Sequence, residues 1–246
     1  MNLSLMMGSG VATNQGFEES VTQRHELGAI AVSADGRMFR YAKAGASALV
    51  RGNVLQARVA EIAHDNVACR ATALGATALL ITTESGDGAL DANEYSGGYA
   101  VIDTDPPAGQ ICKIDNHLAI AASTDGTINV VAEDGLIAAL TTASKITLIK
   151  NPYDGVIQQP ANTPTGAAVG VCVHAITAAY FGWIQIRGVA PVLIGGTPAV
   201  GSQLVAWGDT AGEMVIDPAD AADVVCGVNM IVGRDGKILP VLINFP

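Results

Sequence analysis

Cys172 and His174 stand two residues apart in a stretch that reads as a strand, so alternation places both side chains on one face. A thiol beside an imidazole is the start of a nucleophilic dyad or of a metal site. Either use needs a third group, to orient the base or to complete the ligand set, and the sequence offers none nearby. The pair therefore reads as a buried thiol next to an ordinary histidine. The other histidines, His25, His64 and His117, sit in no catalytic context. Ser9, in Gly8-Ser9-Gly10, precedes no strand–helix elbow of the kind that exposes a nucleophile.

Two further patterns look chemical at first. Gly196-Thr197-Pro198-Ala199-Val200-Gly201-Ser202 has the outer glycines of a phosphate loop. It lacks the lysine, Pro198 removes a backbone donor, and the flanks read strand–turn–strand where the motif needs strand then helix. Asp87, Asp91, Asn93 and Glu94 offer oxygen ligands, but not at calcium-loop spacing, and read as a solvated loop. No cofactor or metal is expected, and no enzymatic activity.

The four cysteines, Cys69, Cys112, Cys172 and Cys226, are far apart, which fits buried thiols better than a zinc site. The chain carries 13 basic against 23 acidic residues, a net charge of −10. Its densest basic group is only Arg37, Arg40 and Lys43. A nucleic-acid binder replaces phosphate counterions with clustered bases, so neither nucleic acid nor an anionic membrane is expected as partner. The longest apolar run, 71–81, is too short to span a bilayer, and residues 1–14 lack the plan of a secretory signal.

The elements that would position any site are short. Half of the 246 residues are hydrophobic, mostly Ala, Val, Ile and Leu, and 28 glycines punctuate them. Short Val/Ile/Thr-rich runs between Gly, Asp, Asn and Pro predict strands. Asp35-Gly36 is a hairpin signal between Gly28–Val32 and Met38–Tyr41. Further strands are expected over 77–83, 99–102, 110–114, 127–132, 145–149, 167–175, 180–188, 190–194, 203–207, 213–216, 224–232 and 238–243. Three helical segments are expected: one turn over Ala44–Leu49, then Leu55–His64, from the spacing of Leu55, Val59, Ile62 and Ala63, and Asp217–Asp223, from its N-cap and Pro218. The predicted fold is mainly β: sandwich or barrel elements in two small subdomains, with few short helices. Residues 1–26 read as an extended N-terminal arm with few contacts to its own core. The Pro- and Asn-rich stretch 151–164 marks the boundary between a domain over 27–155 and a barrel-like domain over 156–246.

Four phrases together carry a resemblance. They are Glu26–Tyr41 with Ala44-Gly45-Ala46, then Asn93–Val101, then Asn151-Pro152-Tyr153, and finally Ala179–Gly188 with its cluster Tyr180, Phe181, Trp183 and Arg187. In this order, from about residue 26 onward, the chain resembles the decoration or cement proteins of tailed-phage heads. The resemblance implies a virion protein on the capsid exterior, made in the host cytoplasm. Its partners would be the major capsid protein and copies of itself, as a trimer first and a dimer next. Many modest contacts would add by avidity against internal DNA pressure. Under that reading the candidate subunit or shell contacts are Leu3, Leu5 and Phe17 of the arm, with Tyr180, Trp183 and Arg187, although most of the run 180–188 reads as a core strand with one face left for an interface. The arm suits strand addition to a neighbour's sheet. The rival readings are a tail or head-fibre component and a glycan-binding module, the latter resting on Tyr95, Tyr99, Trp207 and the Tyr180–Trp183 group.

Overall fold

The computed structural model describes the backbone of residues 3–5 and 10–11 and the whole of residues 17–86, 88–217 and 224–245. The chain forms two compact units, Met1–Val59 with Pro152–Pro246, and Ala60–Asn151. The division differs from the expected one. The return point at 151–152 coincides with the Asn-Pro signal, but the first unit is discontinuous and the second is an insertion.

Eighteen strands are described, numbered along the chain. The first unit holds β1 (Leu3–Leu5), β2 (Gly10–Val11), β3 (Ile30–Ser33), β4 (Met38–Ala44) and β5 (Val54–Gln56). The insertion holds β6 (Val67–Cys69), β7 (Ala78–Thr82), β8 (Tyr99–Thr104), β9 (Ile111–His117), β10 (Asp125–Val130) and β11 (Lys145–Ile149). The first unit resumes with β12 (Asp154–Gln158), β13 (Ala168–Val171), β14 (Phe181–Ile194), β15 (Gln203–Val205), β16 (Val215–Ile216), β17 (Val225–Asn229) and β18 (Lys237–Asn244). The fold is thus mainly β, as the punctuated apolar runs predict.

In the first unit a 12-stranded sheet runs β16-β15-β17-β18-β14-β13-β5-β12-β4-β3-β1-β2. A further β14–β4 pairing closes β14, β13, β5, β12 and β4 into a ring. The ring's core is Leu49, Leu55, Val156, Cys172, Ile176 and Ile184 with small residues between them. β14 is long enough to serve two rings. Its first half pairs with β4 and its second with β18, over Arg187↔Asn244 to Ile194↔Lys237. At its end Ile194 bridges to Met214 beside β16, so β14-β18-β17-β15-β16 also curls back on itself. That second core holds Ile186, Val192, Ile194, Leu204, Met214, Leu239, Val241 and Ile243. Gly170, at φ +148, lets β13 approach β14 so closely that a Cβ would lie 2.7 Å from the Gln185 carbonyl oxygen.

The insertion closes as a barrel in the order β10-β7-β6-β11-β8-β9. Inward-facing Leu79, Ile81, Ile102, Ile114, Ile128 and Ile146 fill it, each fully buried, while the alternate positions, polar and apolar, face outward.

Local expectations differ from the structure in several places. The stretch 151–164 read as a boundary contains β12, the runs 180–188 and 190–194 are the single strand β14, and β6 falls outside every expected strand. Ala44–Leu49 forms no helical turn. Leu55–His64 is not a helix: Val54–Gln56 is β5, and only Ile62–His64 makes one 3-10 turn. Leu55 takes its place in the ring core through strand pairing with Gln158, which overrides the helical spacing. The N-terminal segment is not a loose arm over its described part. β1 pairs antiparallel with β3, with Leu3 opposite Ser33 and Leu5 opposite Ala31. Ser20 bridges to Phe181, and the Thr177 amide and hydroxyl donate to the Glu19 carboxylate at 2.6 and 3.0 Å. The helix expected over Asp217–Asp223 lies, beyond its first residue, outside the described residues.

Candidate assembly surface

Segment 17–26 lies against an aromatic cluster of the first unit. Tyr41 on β4 and Phe181 and Trp183 on β14 come together because Trp183 pairs directly with Tyr41 across the two strands. The Tyr41 and Trp183 ring centroids are 5.1 Å apart, and His25 packs on both, at 5.1 Å from Tyr41 and 5.2 Å from Trp183. The Arg24 amide donates to the Tyr41 hydroxyl at 3.0 Å. Burial, and then the Arg24 charge, hold the His25 imidazole below its ordinary pKa.

The structure separates the six expected contact residues. Trp183 is 3% exposed, so the contact expected of it is corrected: its parity on β14 points it into the aromatic core. Tyr180 is half-buried against the ring core. Phe17 is exposed, with its ring edge-on to His174 at 6.4 Å. Arg187 is exposed at the point where β14 passes from β4 to β18. Leu3 and Leu5 are placed by their backbone pairing with β3. The space beside Trp183, bounded by Glu18, Arg24 and Phe181, is about 10 Å³, room for a single water and not for a sugar.

The chemical candidates resolve into structural roles. The Cys172 thiol donates to the backbone carbonyl of His174 at 3.0 Å, and the His174 ring turns to Arg51 and Phe17, so the pair forms no dyad. All four cysteines are free and buried. Burial pushes Cys69 and Cys172 up to about 12 and Cys112 and Cys226 up to about 11, far from a reactive thiolate. Among the described residues no group of three or more His, Cys, Asp or Glu could hold a metal ion.

The inserted barrel keeps one buried polar cluster. His64 Nδ1 lies 2.5 Å from the Tyr95 hydroxyl, and His117 Nε2 accepts the Tyr95 backbone N–H at 3.1 Å. His117 Nδ1 is 2.9 Å from the Leu118 carbonyl oxygen, so both its ring nitrogens are used. Lys150 is paired with Glu94 and sits 5.1 Å from the Tyr95 ring centroid. Desolvation raises the Glu94 carboxyl, but the Lys150 and Asp91 hydrogen bonds and the charges of Lys150 and His64 outweigh it and hold the group below its ordinary value. Glu94 and Asn93 of the expected solvated loop are thus tied into this cluster, Asn93 by accepting the His117 amide at 3.1 Å. Tyr95, 1% exposed, is core and not a ligand platform.

What the first unit does offer is an outward apolar face. Val189, Leu242 and Val228 form one cross-strand row over β14, β18 and β17. Pro191↔Pro240 and Leu193↔Ile238 extend it along the β14–β18 pair. Leu242 is 49% exposed, Ile238 48%, Met230 45% and Val189 43%. A shallow open depression of about 490 Å³, lined by Asp35, Gly36, Arg37, Gly188, Val189 and Leu242, borders it at the β3–β4 turn. A contiguous apolar area on three paired strands is the mark of an interaction surface, whereas single exposed apolar residues are ordinary. Sequence reasoning missed this face, although β18 carried the signal. Ile238-Leu239-Pro240-Val241-Leu242-Ile243 is apolar at both parities, the pattern of a strand covered on both sides.

Comparisons of the chain with protein-family models, with curated proteins and with solved structures each give no match.

Proposed function

We propose that the chain is a non-enzymatic structural protein of a tailed-phage head, a decoration or cement protein that binds the outside of the shell across capsomer junctions. The observation that carries the reading is the face built on Val189, Leu242 and Val228, a surface suited to packing against protein. The ordered phrases that resemble head decoration proteins supply the kind of assembly. The acidic balance supports it too, since an exterior protein of this charge does not trap DNA. Closed rings leave few open strand edges, which suits a protein held at high local concentration among its own copies.

The test is co-sedimentation of the purified chain with expanded, undecorated heads of its own phage, with compact precursor heads as control. Saturable binding to expanded heads alone, at a stoichiometry that matches a local symmetry axis, is the expected result. Binding to neither form removes the shell role and moves the chain to the tail or a head fibre.

A further inference from the structure

The chain's charge is unevenly divided. Residues 60–151 hold twelve acids against four bases, a net of −8 out of the whole chain's −10. The first unit, with eleven acids against nine bases, is close to neutral. Within residues 152–246 there are only three bases, Arg187, Arg234 and Lys237. All three flank the apolar face. Arg187 stands at one end of the β14–β18 pair, opposite Asn244, and Lys237 at the other, opposite Ile194 and three residues after Arg234. Between them no outward position of the pair carries an acid: Val189, Pro191 and Leu193 face Leu242, Pro240 and Ile238.

The described acids around the face are engaged or marginal. Asp35 is paired with Arg37 at 2.7 Å, Asp235 accepts the Gly196 amide at 2.7 Å, and Asp217 lies beyond β15, where its amide donates to the Gln203 carbonyl. Among the described residues the face is therefore an apolar strip with a base at each end.

Two copies meeting face to face through such a strip would bring Arg187 and Lys237 against like charges. The complementary surface on this same chain is the acidic barrel, which also exposes large apolar side chains: Leu118 at 82%, Ile137 at 71% and Ile111 at 56%. We propose that the β14–β18–β17 face of one copy receives the acidic inserted barrel of a second copy, a head-to-tail contact. Contacts of this type are heterologous, so they close into a ring, the smallest being a reciprocal pair, or continue as a filament. The proposal rests on the assembly reading above and assigns this face to contacts between copies of the chain within that assembly. It is tested on purified protein without any shell, so its failure and the failure of shell binding are separate results.

The experiment is sedimentation velocity of the full chain from about 1 to about 100 µM. The wild type is expected to associate, with an affinity that falls at least about threefold when salt rises about tenfold. Leu242→Asp, at an exposed position, and Arg187→Glu are each expected to weaken association at least about tenfold while circular dichroism stays unchanged. A barrel variant carrying Glu61→Lys, Glu84→Lys, Asp115→Lys and Glu133→Lys, which brings the insertion's charge to zero, is expected to be monomeric too. The deciding sample is an equimolar mixture of Leu242→Asp with the barrel variant. A head-to-tail contact gives one dimer per pair and nothing larger, because each variant still supplies one sound surface. A mixture that stays monomeric, a wild type monomeric throughout, or a Leu242→Asp chain that assembles like wild type overturns the proposal.

Discussion

His25 packs edge-on against Tyr41 with ring centroids 5.1 Å apart, and so ties the N-terminal segment to β4. Its pKa is lowered in the folded protein, chiefly by burial and then by the Arg24 charge. An unfolded chain takes up this proton near 6.5, whereas the folded one resists until a lower pH. The linked stability is complete above 6.5 and is lost as pH falls through the folded value. The melting temperature should decline from pH 7 to pH 5, and His25→Phe should flatten that part of the curve. Parallel curves for the two proteins would show that the packing of His25 is not linked to protonation.

Lys150 and Glu94 make the one ion pair described inside a largely buried setting, with 8% and 23% of their side chains exposed. Lys150→Met removes the cation and leaves the carboxylate against the Tyr95 cluster. Breaking a wholly buried pair costs about 3–5 kcal/mol, and the residual exposure of Glu94 reduces this to about 2–3 kcal/mol. Urea unfolding measures the loss. Lowering the pH through the folded value of Glu94 should shrink the difference between variant and wild type, because the protonated carboxyl no longer needs the cation.

Gly98 leads into β8, where a Cβ would stand 2.3 Å from the Ile149 carbonyl oxygen and 3.0 Å from that of Tyr95. Both atoms are backbone and cannot turn away. Gly98→Ala is expected to destabilise the barrel by about 3 kcal/mol. Gly36→Ala, at a turn with nothing within 4 Å, meets only the cost of its φ of +82° and should lose about 1 kcal/mol. Reversing that order in thermal melts would contradict the packing described around Gly98.

The thiols give a direct readout of opening. With burial holding all four far above neutral, an aromatic disulfide reagent at pH 8 should label none in the folded protein and four after denaturation. Rapid labelling of one site in native buffer would place that cysteine outside the core described for it.

Much of the fold is legible in the sequence because strand signals are local. Asp35-Gly36 turns β3 into β4, and the Gly- and Pro-bounded apolar runs become strands close to where they stand. Ring closure is not local. Nothing around Phe181 announces that one strand will pair with β4 by its first half and with β18 by its second. The insertion is half visible: Asn151-Pro152 marks the return, but the exit at Val59–Ala60 lies inside spacing that imitates a helix. Trp183 stands out by its size, yet parity alone cannot tell core from surface when both faces of β14 are apolar. The outward row of Val189, Leu242 and Val228 was hidden for the same reason.

The exit and return of the insertion fall on neighbouring strands. β5 and β12 lie side by side and antiparallel, with Gln56 opposite Ile157 and Leu55 opposite Gln158. A tight turn could join them and leave the ring of the first unit intact, so the 92 residues from Ala60 to Asn151 occupy the place of a hairpin loop. The scaffold therefore tolerates exchange at this point. Lineages could trade the loop's cargo, shrink it or lose it without redrawing the sheet, and an engineer could graft a foreign domain there by the same route.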